Sequence, residues 1–272
     1  MSKKLQEYID KGWTVENTFS KKDLNEFQDT LLDLVGMQLK KLGIKPSIEL
    51  DLDIKKLNKK NSNALSECLS MSRNTKAGHN LSSTDKLVSL ASTLLNDNLN
   101  LEQRVIISGP SIFVNIPNDN KRKYTWHSEQ NWYPKRRNFL NVWCPLSSDR
   151  IKKNSMAVMS KSHKEDWFYF SEYTGYEGSN SNDMNVQYEV PPSFLKDYKS
   201  EVPKVKVGEG LFFNGKLVHR SIDNVSKKAL LTMVFRVFNY SDDLTLSSNW
   251  ADLPYKGDSL GAPNLVVSKL KK

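Results

Sequence analysis

The fold class of this chain is most clearly indicated by GEGLFFNGKLVHRS, residues 208–221. This stretch has the pattern of a tight turn, a short buried strand, a second turn at 214–215 and then a histidine, His219. Similar short apolar runs, separated by Gly, Pro and Asn, recur from about residue 104 onwards and are typical of a sandwich or a double-sheet jelly roll. The predicted strands are 105–107, 112–114, 124–127, 139–144, 156–159, 186–190, 202–207, 211–213, 218–221 and 229–238.

The residues before this β-rich part are predicted to be mainly helical. Ser20 and Asp23 have the spacing of a helix N-cap, and apolar residues then recur at helical spacing up to about residue 42. Shorter helices are predicted near 62–73 and 84–95, with a loop at 73–78 between them. Helices followed by strands indicate an α+β fold, with a jelly-roll core and the N-terminal helices packed on one sheet.

We expect a single domain over residues 1–272. It would consist of a mainly helical part at 1–103, a jelly-roll core at 104–240 and a C-terminal extension at 241–272. Residues 171–185, rich in Ser, Gly, Asn, Tyr and Glu, are predicted to form a mobile loop that could serve as a lid.

The composition excludes several classes of protein. The chain has 272 residues, of which 38% are hydrophobic, and its two cysteines cannot make a disulfide framework. No apolar run approaches the roughly 20 residues that span a membrane, and the N-terminus lacks the apolar centre of a signal peptide. We therefore expect a cytoplasmic globular protein rather than a membrane, secreted or fibrous one.

The candidate metal ligands are histidines and a nearby carboxylate. Two of the four histidines stand in a His-X-Glu arrangement, at 127–129 and at 163–165. Residues i and i+2 of a strand share one face, so His127 and Glu129 can reach the same metal ion. Chance alone predicts about half a match in this chain. Since residues 124–127 have the pattern of a strand and those around His163 that of a loop, the first pair is the candidate.

The third ligand is predicted to be His219. About five predicted strands separate it from His127, enough to wind most of a jelly roll and bring both histidines together. Two histidines and one carboxylate form the facial triad that holds Fe(II) and leaves coordination positions open. A single histidine is more often a core or surface imidazole, but the combination of three favours a metal site.

A cation for an anionic co-substrate is predicted on the strand after His219. Lys228, Thr232 and Arg236 share one face of that strand by its period of two. Either cation could pair with the far carboxylate of a dicarboxylate whose keto-acid end chelates iron. The alternative is that both are solvated charges at strand ends.

Motifs spread over most of the chain carry a resemblance to a known family. They are DKGWTV at 10–15, HSE at 127–129, WYPKR at 132–136, NVW at 141–143, SKSHK at 160–164, VGEG at 207–210 and HRSIDN at 219–224. With these motifs the chain resembles the phytanoyl-CoA dioxygenase family of Fe(II)/2-oxoglutarate oxygenases. The resemblance implies a double-stranded β-helix core with iron held by His127, Glu129 and His219, although the family usually has Asp where this chain has Glu129.

The same resemblance implies where 2-oxoglutarate would bind. Its contacts would be Trp143, Ser221 and a cation at the start of the last core strand. The family usually has Arg at that position, and here the nearest match is Lys228, so either Lys228 or Arg236 takes the role. The implied reaction is hydroxylation of an unactivated C–H of a small-molecule metabolite, with dioxygen consumed and 2-oxoglutarate decarboxylated to succinate. A carboxylate at Glu129, rather than a small residue that admits chloride, favours hydroxylation over halogenation.

Candidate substrate residues follow the first His-X-Glu motif. They are Trp132, Tyr133, Arg136 and Arg137, together with the 171–185 loop. The two arginines could bind an anionic group such as a carboxylate or phosphate, or they could be ordinary surface charge.

Two other functions remain as alternatives at this point. The net charge of +9 suggests a nucleic-acid oxygenase on the same core, but the lysines are scattered, which weighs against a nucleic-acid partner. A non-catalytic cupin-like binding protein would also fit, and it predicts that His127, Glu129 and His219 do not converge, or that iron does not bind.

Overall fold

The fold is described from a computed structural model that covers residues 3–95, 105–117, 124–131, 133, 138–147, 156–165, 172–173, 187–239 and 265–267. Helices make up most of the N-terminal part. Their bounds are α1 (Lys3–Lys11), α2 (Lys21–Lys41), α3 (Leu50–Lys60), α4 (Ser62–Ser72), α5 (Lys76–Ser82) and α6 (Asp85–Leu94).

The strands lie mostly after residue 104. Their bounds are β1 (Trp13–Asn17), β2 (Val105–Asn115), β3 (Phe139–Pro145), β4 (Met156–Ser160), β5 (Glu172–Tyr173), β6 (Gln187–Tyr188), β7 (Lys199–Glu201), β8 (Glu209–Asn214), β9 (His219–Ser221), β10 (Leu230–Asn239) and β11 (Leu265–Val267). The larger sheet has six strands in the order β1-β8-β3-β10-β2-β11, and its pairs are antiparallel. A smaller sheet has the order β7-β4-β9, and β5 pairs with β6.

The two faces of the larger sheet pack against different partners. Along β10, Leu231, Met233 and Phe235 belong to the core that α2 to α6 complete on the outer face. Val234, between them, packs with Trp143 of β3 and with residues of β4 on the inner face, between the two sheets. This alternation follows from the two-residue period of a strand. The predicted α+β class, with a jelly-roll core and helices on one sheet, is confirmed.

Helix α2 is the principal layer on the outer face. Its N-cap is Ser20, whose hydroxyl accepts a hydrogen bond from the backbone N–H of Asp23, as the spacing predicted. Its apolar residues recur at three- and four-residue steps and are buried; they are Leu24, Phe27, Leu31, Val35 and Leu39. The helix is held on the core because these apolar side chains are buried against the sheet.

Several local predictions differ from the structure. β1 was not predicted, because the helical pattern around it dominates and the strand has only five residues. The runs at 105–107 and 112–114 form one strand, β2, whose register against β10 shifts between Val234 and Arg236. The run at 202–207 is not a strand, since β7 ends at Glu201, and the predicted loop at 73–78 already contains the start of α5.

No helix in the described ranges combines the length and the apolar character that crossing a bilayer requires.

Candidate metal centre

The two candidate histidines meet through their backbones. The N–H of His127 donates to the carbonyl of His219 at 3.0 Å, and the N–H of His219 donates to the carbonyl of His127 at 2.9 Å. This antiparallel bridge extends the smaller sheet beyond β9, since β9 itself pairs with β4. Residues directly opposite each other present their side chains on one face, and the imidazole centroids accordingly lie 4.2 Å apart.

Glu129 reaches the same place by a route that differs from the predicted one. The i, i+2 spacing predicts a strand through both residues, but only His127 is in a β-bridge and Glu129 begins a 3₁₀ turn at 129–131. Ser128 fixes this change of direction, because its hydroxyl donates to the carbonyl of Gly215 and accepts from the N–H of Gln130. The carboxylate therefore still lies beside the imidazole of His127.

Together the three side chains form a compact donor set. Glu129 Oε1 lies 4.0 Å from Nε2 of His127 and 4.0 Å from Nε2 of His219. One ligand atom from each residue lies within 4.8 Å of the others, and all three residues are buried. Among the described residues this is the one group of three or more His, Cys, Asp or Glu with such spacing.

Both imidazoles are held in place through Nδ1, the ring nitrogen that does not face Glu129. Nδ1 of His127 lies 2.7 Å from the carbonyl oxygen of Thr125, and Nδ1 of His219 lies 2.9 Å from that of Leu217. A carbonyl can only accept, so Nδ1 carries the proton in each ring, an assignment that follows from the hydrogen-bond partner. The Nε2 lone pairs therefore face the carboxylate, which is how metal-binding histidines are oriented.

The electrostatics of the cluster suit metal binding. Burial lowers the pKa of His219 to about 3, with a further contribution from His127, and burial also lowers the pKa of His127. Burial alone would raise the pKa of Glu129, but the neighbouring charge of Arg236 is the strongest opposing influence, and the pKa lies below its usual range. At neutral pH the site thus offers two neutral imidazoles and one carboxylate, the protonation states that a metal ion requires.

Arg236 is the cation that the structure brings to this cluster. Its Nε donates to Glu129 Oε2 at 3.1 Å, from the inner face of β10. Lys228, the other candidate, precedes β10 and is exposed. It lines a separate cavity of about 1420 Å³ on the helix side of the sheet, together with Lys21 and Lys86, and none of the three candidate ligands lines that cavity.

The remaining predicted co-substrate residues lie on the inner face of the larger sheet and at the end of β9. Trp143 is buried on the inner face of the larger sheet, opposite Val234 in register. Ser221 ends β9 two residues after His219, and its hydroxyl accepts the N–H of Tyr124 at 3.2 Å.

Most predicted substrate residues lie outside the described part of the chain. These are Trp132, Arg136, Arg137 and the 171–185 loop apart from residues 172–173, which form β5. Tyr133 is described: its ring packs against Phe139 and Phe238 at centroid distances of 5.7 and 5.4 Å, and the Arg236 guanidinium lies 5.8 Å from its centre.

The other two histidines lie away from the cluster. His163 is in a 3₁₀ turn, where its Nε2 is 3.1 Å from the carbonyl oxygen of Ile9 and its ring crowds Gly12. His79 is exposed on α5.

One polar residue of the inner face was not predicted as part of the site. Asn141 is fully buried on β3, directly opposite Arg236 of β10 in register. Neither atom of its amide has a hydrogen-bond partner in the described structure. The sequence did contain a signal, because an Asn two residues before Trp143 shares the inner face of an otherwise apolar strand.

The chain matches one known protein family in sequence and several solved structures in fold. The sequence model of the phytanoyl-CoA dioxygenase (PhyH) family matches residues 14–229. A sequence search of curated proteins finds no match.

Three solved structures illustrate the similarity of fold. The α-ketoglutarate-dependent carbocyclase SnoK from nogalamycin biosynthesis is 15% identical, with a TM-score of 0.53 over 87% of this chain and 84% of its own. The epimerase SnoN, in complex with Fe³⁺, α-ketoglutarate and nogalamycin RO, is 12% identical, with a TM-score of 0.52 over 86% and 82%. EvdO2 from Micromonospora carbonacea var. aurantiaca, complexed with 2-oxoglutarate, is 11% identical, with a TM-score of 0.52 over 87% and 89%.

Proposed function

The chain belongs to the phytanoyl-CoA dioxygenase family, and from this premise we propose that it is an Fe(II)/2-oxoglutarate-dependent oxygenase that hydroxylates an unactivated C–H of a small molecule. The observation that carries the proposal is the meeting of His127, Glu129 and His219, which are far apart in the chain, in one buried cluster. The non-catalytic alternative predicts either that these residues do not converge or that iron does not bind, so iron binding is what separates it from the proposal.

The donor set fits ferrous iron. Two imidazole nitrogens and one carboxylate are the ligands of the facial triad, which leaves positions for a co-substrate and dioxygen. When bound there, iron would activate dioxygen as the oxidant, with 2-oxoglutarate as the co-substrate that is converted to succinate and carbon dioxide.

The chain's own residues orient the donor atoms of this site and set their charge. The carbonyls of Thr125 and Leu217 aim the imidazoles, and burial of the cluster excludes water. Glu129 remains ionised chiefly because the charge of Arg236 lowers its pKa against the effect of burial. Organised in this way, the three side chains offer the protonation states that a divalent cation requires.

The co-substrate is proposed to lie between the sheets. Trp143 would form an apolar wall and Ser221 would offer its hydroxyl. Of the two cations considered for its far carboxylate, Lys228 lines the separate cavity, whereas Arg236 lies in the cluster, where its Nε is hydrogen-bonded to Glu129.

Hydroxylation is the specific reaction that we propose, although the fold supports others. SnoK is a carbocyclase and SnoN an epimerase, so similarity of fold does not select the outcome. The carboxylate of Glu129 supports hydroxylation, because it occupies the position that a halide would need. Dioxygen is the second substrate, and the organic substrate is proposed to be a small metabolite that the chain binds in the cytoplasm.

An anaerobic titration of the protein with Fe(II) and 2-oxoglutarate tests the proposal. We expect a weak visible charge-transfer band at one iron per chain. Glu129→Ala should abolish the band, whereas Glu165→Ala, which removes the exposed carboxylate of the second His-X-Glu motif, should retain it. A folded wild-type protein that gives no band would rule the function out. Succinate and hydroxylated product, measured by mass spectrometry over a panel of metabolites, then test hydroxylation itself.

A further inference from the structure

The two oxygens of the Glu129 carboxylate face different partners. Oε1 lies 4.0 Å from both imidazole Nε2 atoms. Oε2 lies 3.1 Å from Nε of Arg236 and accepts its hydrogen bond. One oxygen is therefore directed towards the metal position and the other is held by a guanidinium.

This contact is sheltered from solvent. The side chains of Arg236 and Glu129 are 18% and 10% exposed. Charge-assisted hydrogen bonds are stronger than neutral ones, and exclusion of water strengthens the electrostatic part further. An ion pair in this environment can fix the orientation of a side chain, which most exposed pairs cannot.

The guanidinium is itself held from several sides. The side chain of Arg236 extends from the inner face of β10, at the point where the register against β2 shifts. Its Nη1 lies 3.5 Å from the hydroxyl of Ser111, and its Cζ lies 5.8 Å from the ring centre of Tyr133. These contacts hold the cation beside Glu129.

We propose that Arg236 is a positioning residue that holds Glu129 as a ligand through one oxygen. The inference rests on the proposed function. A glutamate has one more rotatable bond than the aspartate usual in the family, so its carboxylate can turn or offer both oxygens to the metal. The bond to Oε2 removes that freedom and leaves Oε1 directed at the imidazoles.

Metal binding in the absence of 2-oxoglutarate separates this role from direct co-substrate binding. Co(II) is the probe, and its affinity and visible spectrum are measured for the wild type, Arg236→Gln and Arg236→Lys. We expect Arg236→Gln to weaken Co(II) binding by about 10- to 100-fold, as loss of a hydrogen-bond partner of a metal ligand does. Arg236→Lys, which keeps the charge, should recover part of the affinity. The matched control is Arg220→Gln, since Arg220 is exposed on β9 over the ring of Trp126.

A double-mutant cycle with Glu129→Asp tests whether Arg236 acts through the carboxylate. The shorter aspartate withdraws from the guanidinium, so Arg236→Gln should change Co(II) affinity much less on that background than on the wild type. Arg236→Lys in the cycle replaces Arg236→Gln if the latter does not fold, as judged by circular dichroism.

The results of these experiments separate a failure of the positioning role of Arg236 from a failure of the proposed oxygenase function. Arg236 variants that bind Co(II) as the wild type does, but need more 2-oxoglutarate to saturate, would overturn the positioning role and make Arg236 a co-substrate contact. Equal effects on both backgrounds would also overturn it. A wild type that binds neither Co(II) nor Fe(II) would instead remove the proposed function.

Discussion

The imidazoles of His127 and His219 are neighbours because their backbones exchange two hydrogen bonds, at 3.0 and 2.9 Å. Residues 92 positions apart in the chain are thereby held with their ring centroids 4.2 Å apart. The pairing of the ligands is thus built into the hydrogen bonding of the sheet.

Removing either imidazole should therefore abolish metal binding without unfolding the chain. In His127→Ala and His219→Ala the backbone bridge remains, but one of three donors is lost, and we expect Co(II) affinity to fall by at least about 100-fold. Titration calorimetry measures the affinity and circular dichroism the fold. His79→Ala, on the exposed face of α5, is the control and should bind normally; a similar loss there would contradict the assignment.

The free energy of unfolding of the metal-free protein should fall as the pH is lowered below about 6.5. The pKa of His219 is lowered to about 3 and that of His127 is also lowered, whereas histidine in the unfolded chain titrates near 6.5. Unfolding then takes up protons below pH 6.5, so each imidazole removes up to about 1.4 kcal/mol of stability per pH unit.

Urea denaturation between pH 7.5 and 5 measures this slope. His219→Asn removes one titrating ring and should make the dependence on pH shallower. If the variant and the wild type lose stability equally over this range, His219 does not titrate as described.

Asn141→Leu should stabilise the metal-free protein. The amide is fully buried and has no hydrogen-bond partner in the described structure, and an unsatisfied buried group costs about 1–3 kcal/mol. Leucine has a similar volume and no polar atom. Thermal unfolding of this variant is compared with Asn80→Leu on the exposed surface of α5, which should stay within about 0.5 kcal/mol of the wild type. A marked destabilisation by Asn141→Leu would show that the amide has a partner.

Gly12→Ala should destabilise the chain more than Gly43→Ala. Both glycines have positive φ, +85° and +70°, so alanine is strained at each. A Cβ on Gly12 would also collide with the ring of His163 and with Leu217, whereas at Gly43 the space is open. We expect a difference of about 1–3 kcal/mol in chemical denaturation, partly recovered by adding His163→Ala. Equal losses at both positions would leave no role for the His163 contact.

The sequence was sufficient for the features that have a strong local pattern. The apolar residues at helical spacing and the Ser20 N-cap were enough to predict α2. The alternation of short turns and apolar runs was enough to predict the jelly roll. The pairing of His127 with His219 was also predictable, because two histidines separated by most of a jelly roll can share a sheet edge.

The two-residue period of a strand gave a wrong prediction just before the start of β10. The period of two placed Lys228 on the same face as Arg236, but the strand begins only at Leu230. Before it, the Asn224 amide donates to the carbonyls of Asn115 and Lys228, both at 2.7 Å, and shapes a turn that sends Lys228 outward. Tertiary hydrogen bonds of this kind leave no periodic trace in a sequence.

The two outermost strands of the larger sheet come from opposite ends of the chain. β1, at 13–17, covers the edge of β8, and β11, at 265–267, covers the edge of β2. Trimming either segment from an expression product would uncover backbone donors and acceptors that can pair with another copy. Shortened versions of this protein should accordingly be judged for aggregation before a loss of activity is blamed on the iron ligands.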